Sequence, residues 1–217
     1  MRKRIVVAVL AICSVLSLAT IAAERPNILY LFSDDHSPRT VSAYPGSYPY
    51  ANTPNIDKLA ENGVSFENAY VGARCVPSRA SMLTGRLQIN VESGTTRYWP
   101  QDFRAAGYTT AMIGKWHWGA GADAHQHGTA WDWSVVWDHG APDGAAGGYY
   151  YDQFVMIDGA EQTPLGGYST DRYTDYTLQF LEEQEGATKP WLMWLCYSAV
   201  HGPYTPADRH IGTLTDA

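Results

Sequence analysis

The sequence is short of cysteine, of positive charge and of any long apolar span. It has three cysteines in 217 residues. One of them, Cys13, lies inside an apolar leader, where the following Ser14 and Val15 give it no lipoprotein context. That leaves Cys75 and Cys196, enough for one bridge in an exported protein. The apolar run over residues 5–18 falls short of the ~20 residues a membrane span needs. Arg2, Lys3 and Arg4 precede it and small residues follow over 19–23. Residues 1–23 are therefore expected to be a cleaved signal peptide, cut near Ala22 or Ala23, rather than an anchor. Residues 24–217 then carry 12 basic against 22 acidic side chains, a net charge of −10. Such an acidic domain lacks the electrostatic footprint of a nucleic-acid binder. It suits a secreted or periplasmic protein that holds a cation, with no membrane span once the signal is removed. No internal repeat is present. Apolar residues at 45% and charged residues at 17% exclude a disordered chain.

Residues 27–32 form a continuous apolar run that ends in Ser33-Asp34-Asp35-His36. Such a run predicts a strand buried on both faces of a parallel sheet, with the two carboxylates at its carboxyl end. Thr53 and Pro54 read as the N-cap and first residue of a helix closed by Gly63. Residues 64–70 read as a short strand. Residues 78–84 read as a helix, which places Cys75 just before its N-terminus. Residues 103–106 read as a weak helix stopped by Gly107, and 108–113 as a strand leading into Gly114-Lys115-Trp116-His117. Residues 118–170 read as a long loop with a small hairpin over 149–157. Residues 171–185 read as an amphipathic helix that turns Tyr173, Tyr176, Leu178 and Leu181 to the core. Residues 190–197 read as a second apolar strand running toward His201. The alternation predicts an α/β sheet with a site on one edge.

Each chemical signal has two readings when taken alone. Asp34-Asp35 suits a hard divalent cation such as Ca²⁺ or Mg²⁺, or else a solvated turn. Cys75, beside a helix N-terminus and near Arg79, is either a reactive thiol of lowered pKa or a buried structural one. Lys115 and His117, two apart in an extended segment, face one way and can share a pocket, or be surface and packing residues. His201, held by Gly202-Pro203, reaches the same edge or packs. Four weak signals at the ends of four apolar segments support one another. His125 and His127 form a His-x-His pair that reads as a loop feature, and His36 as a neighbour of the acidic pair. Trp131, Trp133 and Trp137 read as a loop core or as a stacking surface for a sugar ring.

Cys75-Val76-Pro77-Ser78-Arg79, continued by Ala80-Ser81-Met82-Leu83-Thr84-Gly85-Arg86, resembles the signature of the sulfatases. Arg25-Pro26-Asn27-Ile28 into Asp34-Asp35 resembles the start of that family, as do Thr53-Pro54-Asn55-Ile56-Asp57 and Gly114-Lys115-Trp116-His117. The likeness covers nearly all of residues 25–120 and resumes at 190–206. It implies an alkaline-phosphatase-like α/β fold with a mixed, mostly parallel sheet flanked by helices, incomplete at the C-terminus. Residues 24–217 would be the N-terminal part of a sulfatase catalytic domain. The implied activity is hydrolysis of sulfate esters, with sulfated polysaccharide a plausible substrate.

The resemblance also implies roles. Cys75 would be oxidised to formylglycine by a separate maturation enzyme. Asp34, Asp35 and the modified Cys75 would ligate Ca²⁺. Arg79, Lys115, His117 and His201 would bind and activate the formylglycine hydrate and the sulfate. The family completes its metal site with an Asp-Asn pair and adds a further sulfate-binding Lys, normally well beyond position 217. No Asp-Asn dipeptide occurs in this chain. A fragment of a longer reading frame or a truncated paralogue is therefore expected, with little or no activity in the 217-residue chain itself. The alternatives are a phosphonate or phosphodiester hydrolase of the same superfamily, an inactive carbohydrate-binding remnant that uses the Trp-rich loop, and a redox protein that pairs Cys75 with Cys196.

Overall fold

A computed structural model describes residues 25–70, 72, 74–90, 97–117, 127–138 and 147–213. The expected signal peptide and His125 lie outside the described residues.

Among the described residues, six strands form one sheet. They are β1 (Ile28–Phe32), β2 (Thr109–Lys115), β3 (Trp133–Trp137), β4 (Phe154–Ile157), β5 (Thr163–Pro164) and β6 (Trp191–Cys196). Their spatial order is β1-β6-β2-β3-β4-β5. The pairs β1/β6, β6/β2 and β2/β3 are parallel, while β3/β4 and β4/β5 are antiparallel. The sheet is mixed and mostly parallel, as expected. Four helices accompany it: α1 (Pro54–Asn62), α2 (Cys75–Thr84), α3 (Trp99–Ala105) and α4 (Ser169–Glu183).

The period of two along the central strands builds two cores. Ala111 and Ile113 of β2, Val135 and Trp137 of β3, and Met193 and Leu195 of β6 face α4, where Tyr173 and Phe180 complete the layer. The intervening Met112, Val136, Trp194 and Cys196 face the opposite way, onto Leu83 of α2, Tyr98, Trp116 and Trp131. Both cores are rich in aromatic residues, with rings meeting mainly edge to face. Examples are Trp116 on Trp194 at 6.1 Å and Phe180 on Trp191 at 6.0 Å. Gly114 lets β2 and β6 approach: it has φ 102°, and a Cβ there would lie 1.9 Å from the Cys196 carbonyl oxygen.

Several sequence expectations are corrected. β1 is an edge strand paired with β6 alone among the described residues, so Leu29 and Leu31 are exposed rather than buried. Residues 64–70 are irregular, with Val64, Phe66 and Tyr70 open to solvent, and form no strand. Thr53 caps no N–H of the helix; its hydroxyl accepts from Ser42 N–H and bonds the Ser42 hydroxyl and Asp57 instead. α3 starts four residues earlier than expected, because Pro100 fits the first turn of a helix that opens at Trp99. Leu178 faces outward, and Thr177 takes its place at the core. The largest difference lies within 118–170. Trp133–Trp137 is an internal strand of the sheet, between β2 and β4, and Trp131 and Trp137 have no exposed surface. These tryptophans are core, so the sugar-stacking reading of the Trp-rich segment fails on burial.

Candidate active site at the carboxyl edge of the sheet

Because β1, β2 and β6 run parallel, their carboxyl ends open on one edge. The register aligns Phe32 with Cys196 and Cys196 with Gly114, so the segments leaving these strands start side by side. The segment after β1 is laced to the one after β6. Asp34 N–H donates to Ala199 O at 2.8 Å, and Val200 N–H donates to Asp34 O at 2.8 Å. Asp34 and His201 are therefore held close by backbone bonds.

α2 delivers the next two residues. It begins at Cys75 itself, three residues before the expected start, so Cys75 occupies the first helical turn and Arg79 lies one turn further on. Arg79 is completely buried. Its Nη1 donates to Lys115 O at 2.5 Å, its Nη2 lies 3.6 Å from Asp34 Oδ1, and its guanidinium sits over the Phe32 ring.

Lys115, the last residue of β2, is also fully buried, and its ammonium is the hub. Nζ donates to Asp34 Oδ2 and to the Tyr149 hydroxyl at 3.3 Å, and lies 3.9 Å from Cys75 Sγ. Two cations thus converge on one buried carboxylate. Burial alone would raise the Asp34 pKa. The Lys115 hydrogen bond and charge, with the Arg79 charge, outweigh it and hold Asp34 below the ordinary carboxylate value.

Asp35 is exposed, with φ 55°, and closes the ring on the other side. Its Oδ1 lies 4.0 Å from Cys75 Sγ and its Oδ2 lies 3.5 Å from His201 Nε2. A cavity of about 270 Å³ opens above, lined by Ser33, Asp34, Asp35, His36, Arg74, Cys75 and Ser78 among others. His36 is thus a wall residue of the same cavity, and burial lowers its pKa.

Six of the sequence-predicted residues therefore gather here: Cys75, Arg79 and Lys115 around Asp34, with Asp35 between Cys75 and His201. His117 stands two residues past the end of β2 with φ 50°. The chain leaves extended geometry there. His127 bonds Ser134 Oγ at 3.1 Å near Asp158 and is structural.

Of the two readings of Cys75, the site does not favour the thiol of lowered pKa. Burial raises its thiol pKa, Lys115 lowers it, and Asp34 and Asp35 raise it, for a net increase. Burial and the carboxylates outweigh the cation, which favours the thiol over the thiolate. Cys196 is wholly buried and pushed up to about 12. Both cysteines are free, which removes the disulfide reading.

Can the site hold a metal ion? Oxygen or sulfur donors of Asp34 and Cys75 and a ring nitrogen of His201 lie within 4.8 Å of one another, with Asp35 alongside. Two carboxylates suit a hard cation. A thiol does not, whereas an oxygen at the Cys75 side chain would. The donors fit half of the 6–8-oxygen shell that Ca²⁺ takes. Two Arg79 nitrogens, Nε and Nη2, are buried without hydrogen-bond partners among the described residues, spare donor capacity for an oxyanion beside Asp34.

Sequence reasoning missed Tyr149 and Tyr150. Tyr149 OH lies 3.3 Å from His201 Nε2, with the two rings stacked at 4.3 Å. Tyr150 OH donates to His201 O at 2.5 Å. The available signal was Gly147-Gly148 preceding three tyrosines, a tight turn that presents aromatic hydroxyls.

The mixed, mostly parallel sheet, with acid, cation, thiol and imidazole gathered at its carboxyl edge, agrees with the expected alkaline-phosphatase-like fold. Comparison with known proteins narrows the class. Residues 26–214 match the Sulfatase family, and the chain belongs to it. It is 34% identical over 216 residues to an N-acetylglucosamine-6-O-sulfatase of Bacteroides thetaiotaomicron, covering 93% of this chain and 36% of that protein. Against arylsulfatase J of Mus musculus it is 31% identical, over 88% of this chain and 35% of the relative. A protein solved in complex with its substrate D-glucosamine-2-N,6-O-disulfate superposes with a TM-score of 0.74 at 33% identity, over 88% of this chain and 37% of that one. The chain therefore spans about a third of the length of these relatives.

Proposed function

We propose that the protein hydrolyses sulfate esters of sugars, with a formylglycine derived from Cys75 as nucleophile. The observation that carries this reading is the meeting of Asp34, Asp35, Cys75, Arg79, Lys115 and His201 at one sheet edge. A partly buried cysteine held toward the thiol form is a poor nucleophile as it stands. It is, however, a sound substrate for oxidation to an aldehyde by a separate maturation enzyme.

Once hydrated, the aldehyde offers two hydroxyls. One attacks the sulfur, the ester oxygen leaves as an alcohol carrying a proton, and the sulfuryl group rests on the formylglycine. The second hydroxyl then loses its proton, the carbonyl re-forms, and sulfate departs. Water restores the hydrate, so the net reaction consumes one water per ester. Lys115 and Arg79 stabilise negative charge on the sulfuryl oxygens from buried positions, where their fields are little screened. His201 supplies the proton to the leaving oxygen, and His117 assists deprotonation of the hydrate. Asp34, Asp35 and the modified Cys75 would hold Ca²⁺, which when bound polarises the sulfate and the nucleophile.

The sugar assignment draws on the relatives, one named for N-acetylglucosamine-6-O-sulfate hydrolysis and one bound to a sulfated glucosamine. Residues 1–23 are proposed as a secretion signal, placing the protein outside the cytoplasm. No helix among the described residues is long and apolar enough to cross a membrane.

The test is hydrolysis by the full-length gene product co-expressed with a formylglycine-generating enzyme. Glucosamine 6-sulfate should be cleaved in a Ca²⁺-dependent manner, Cys75→Ala should abolish turnover, and phosphate diesters should be poor substrates. Preferential cleavage of phosphate diesters or phosphonates would instead support the superfamily alternative.

A further inference from the structure

The active-site cavity carries one cation that the reaction above does not use. Arg74 lines it beside Cys75, and among the described lining residues it alone has a fixed positive charge. The buried cations behind the cavity are already engaged. Lys115 donates to Asp34 and Tyr149, and Arg79 donates to Lys115 O and faces Asp34. Asp35, the second carboxylate of the wall, faces Cys75 and His201. Arg74 is exposed, and its guanidinium has no ion-pair partner among the described residues.

The backbone that presents Arg74 is fixed, although its side chain is not. Ser78, buried in α2, ties down both sides of the approach. Its N–H donates to Arg74 O at 3.0 Å, and its hydroxyl donates to Gly72 O at 2.7 Å. A Cβ at Gly72 would lie 2.7 Å from Ser78 N, so the close approach of this segment to the helix requires glycine. Arg74 occupies the N-cap position of α2, yet its side chain caps nothing. Ser, Thr, Asp or Asn would serve the helix better there, and a cation at this end opposes the helix dipole. Arg74 is thus a poor choice for local stability, held by a rigid support at the mouth of the cavity.

We propose that Arg74 is a specificity-determining residue that binds a second anionic group of the substrate, a sulfate or a carboxylate, beyond the ester sulfate held at Cys75. Its role rests on the sulfate-ester reading, which sets where the first anion lies. Consecutive Cα atoms are about 3.8 Å apart, so the Arg74 guanidinium sweeps the space roughly one sugar ring away from the Cys75 side chain. A planar guanidinium meets a sulfate or carboxylate with two parallel N–H donors. The site then prefers sugars that carry two or more anions over singly sulfated ones. Because Arg74 is exposed, the preference is modest, about five- to ten-fold in affinity.

The test is isothermal titration calorimetry on the full-length gene product carrying Cys75→Ala, which binds without turnover, with and without Arg74→Gln. N-acetylglucosamine 6-sulfate carries one anion. Its analogues with a second sulfate, on nitrogen or on O3, and a disaccharide joining it to a uronic acid carry two. With Arg74 present, at least one doubly anionic sugar should bind about five- to ten-fold more tightly than the singly sulfated one. Arg74→Gln should remove that preference, and the probe that shows the effect identifies the anion as sulfate or carboxylate. A preference that survives Arg74→Gln, or none with Arg74 in place, would overturn the assignment. If Arg74→Gln perturbs folding, which circular dichroism reports, Arg74→Lys provides the second reading. Loss of the planar fork should weaken the preference about two-fold or more, and an unchanged preference would equally overturn it. Turnover by the matured enzyme separates the two readings. Arg74-dependent binding without cleavage of any sulfate ester would remove the proposed reaction and leave this site standing. Cleavage with no Arg74 dependence in the kcat/KM ratio of doubly to singly anionic sugars would remove this site alone.

Discussion

At the scale of single residues, the site is a problem of buried charge. Lys115 and Arg79 have no exposed surface, and the one buried carboxylate in reach of both is Asp34. Removing one partner from such a group leaves an uncompensated charge, at a cost of about 3–5 kcal/mol. Asp34→Leu, which strands both buried cations, should therefore destabilise the chain by that amount in urea unfolding. Pairing it with Lys115→Met should recover part of the loss, because the double variant buries one unpaired cation instead of two. Equal and additive losses would show that the two residues do not interact. Most of these residues were legible in the sequence, because each follows an apolar run or sits in a short motif. What the sequence could not show was the sign of the Cys75 shift. That depends on two carboxylates forty residues upstream, which burial brings to the thiol along with Lys115. Tyr149 was hidden for a similar reason: its partners lie 34 and 52 residues away.

At the scale of elements, strands were readable where they were continuous apolar runs, as β1, β2 and β6 are. β3 was not, because its Trp-Ser-Val-Val-Trp is embedded among glycines and aspartates and its role comes from pairing with β2. Its entry is fixed at the opposite edge of the sheet by Asp132. That carboxylate accepts from Arg104 Nε at 2.6 Å, Thr110 N at 3.0 Å and Thr110 Oγ1 at 3.1 Å, while Asp132 N–H donates to Thr110 O at 2.8 Å. Burial raises the Asp132 pKa, but the Arg104 and Thr110 hydrogen bonds bring it below the ordinary 3.8. A depressed folded pKa means that the stabilisation is present above the unfolded value and lost as pH falls through the folded one. Asp132→Asn should cost about 1.5–3 kcal/mol at neutral pH, the range for hydrogen bonds to a charged group, with some discount for its partial exposure. The gap from wild type should hold constant down to about pH 5 and close in more acidic solution, as read by thermal melts across pH. A gap independent of pH would exclude the ionised carboxylate as its source.

At the scale of the whole molecule, the two cores lie around β2, β3 and β6, and one flank is thinly covered. Leu29 and Leu31 of β1, Leu59 of α1, and Val64, Phe66 and Tyr70 are all exposed. An apolar edge strand with free backbone groups is prone to pair with other chains. The 217-residue chain should therefore self-associate in size-exclusion chromatography at micromolar concentration, and Leu29→Thr with Leu31→Lys should shift it toward monomer without unfolding the distant α4 core. A sharp monomer peak for the unaltered chain would refute this. The fold class was accessible from the strand–helix alternation, whereas the edge position of β1 was not, since a five-residue apolar run reads the same at an edge as in a sheet centre.

All scales meet at Cys75, placed in the first turn of α2 between Lys115 and Asp35. The most direct measurement is mass spectrometry of the Cys75 peptide after co-expression with a formylglycine-generating enzyme. The account predicts an aldehyde there, with the thiol sulfur and two hydrogens exchanged for one oxygen, and Cys196 unchanged. An unmodified thiol at Cys75 under those conditions, with the chain folded, would contradict it.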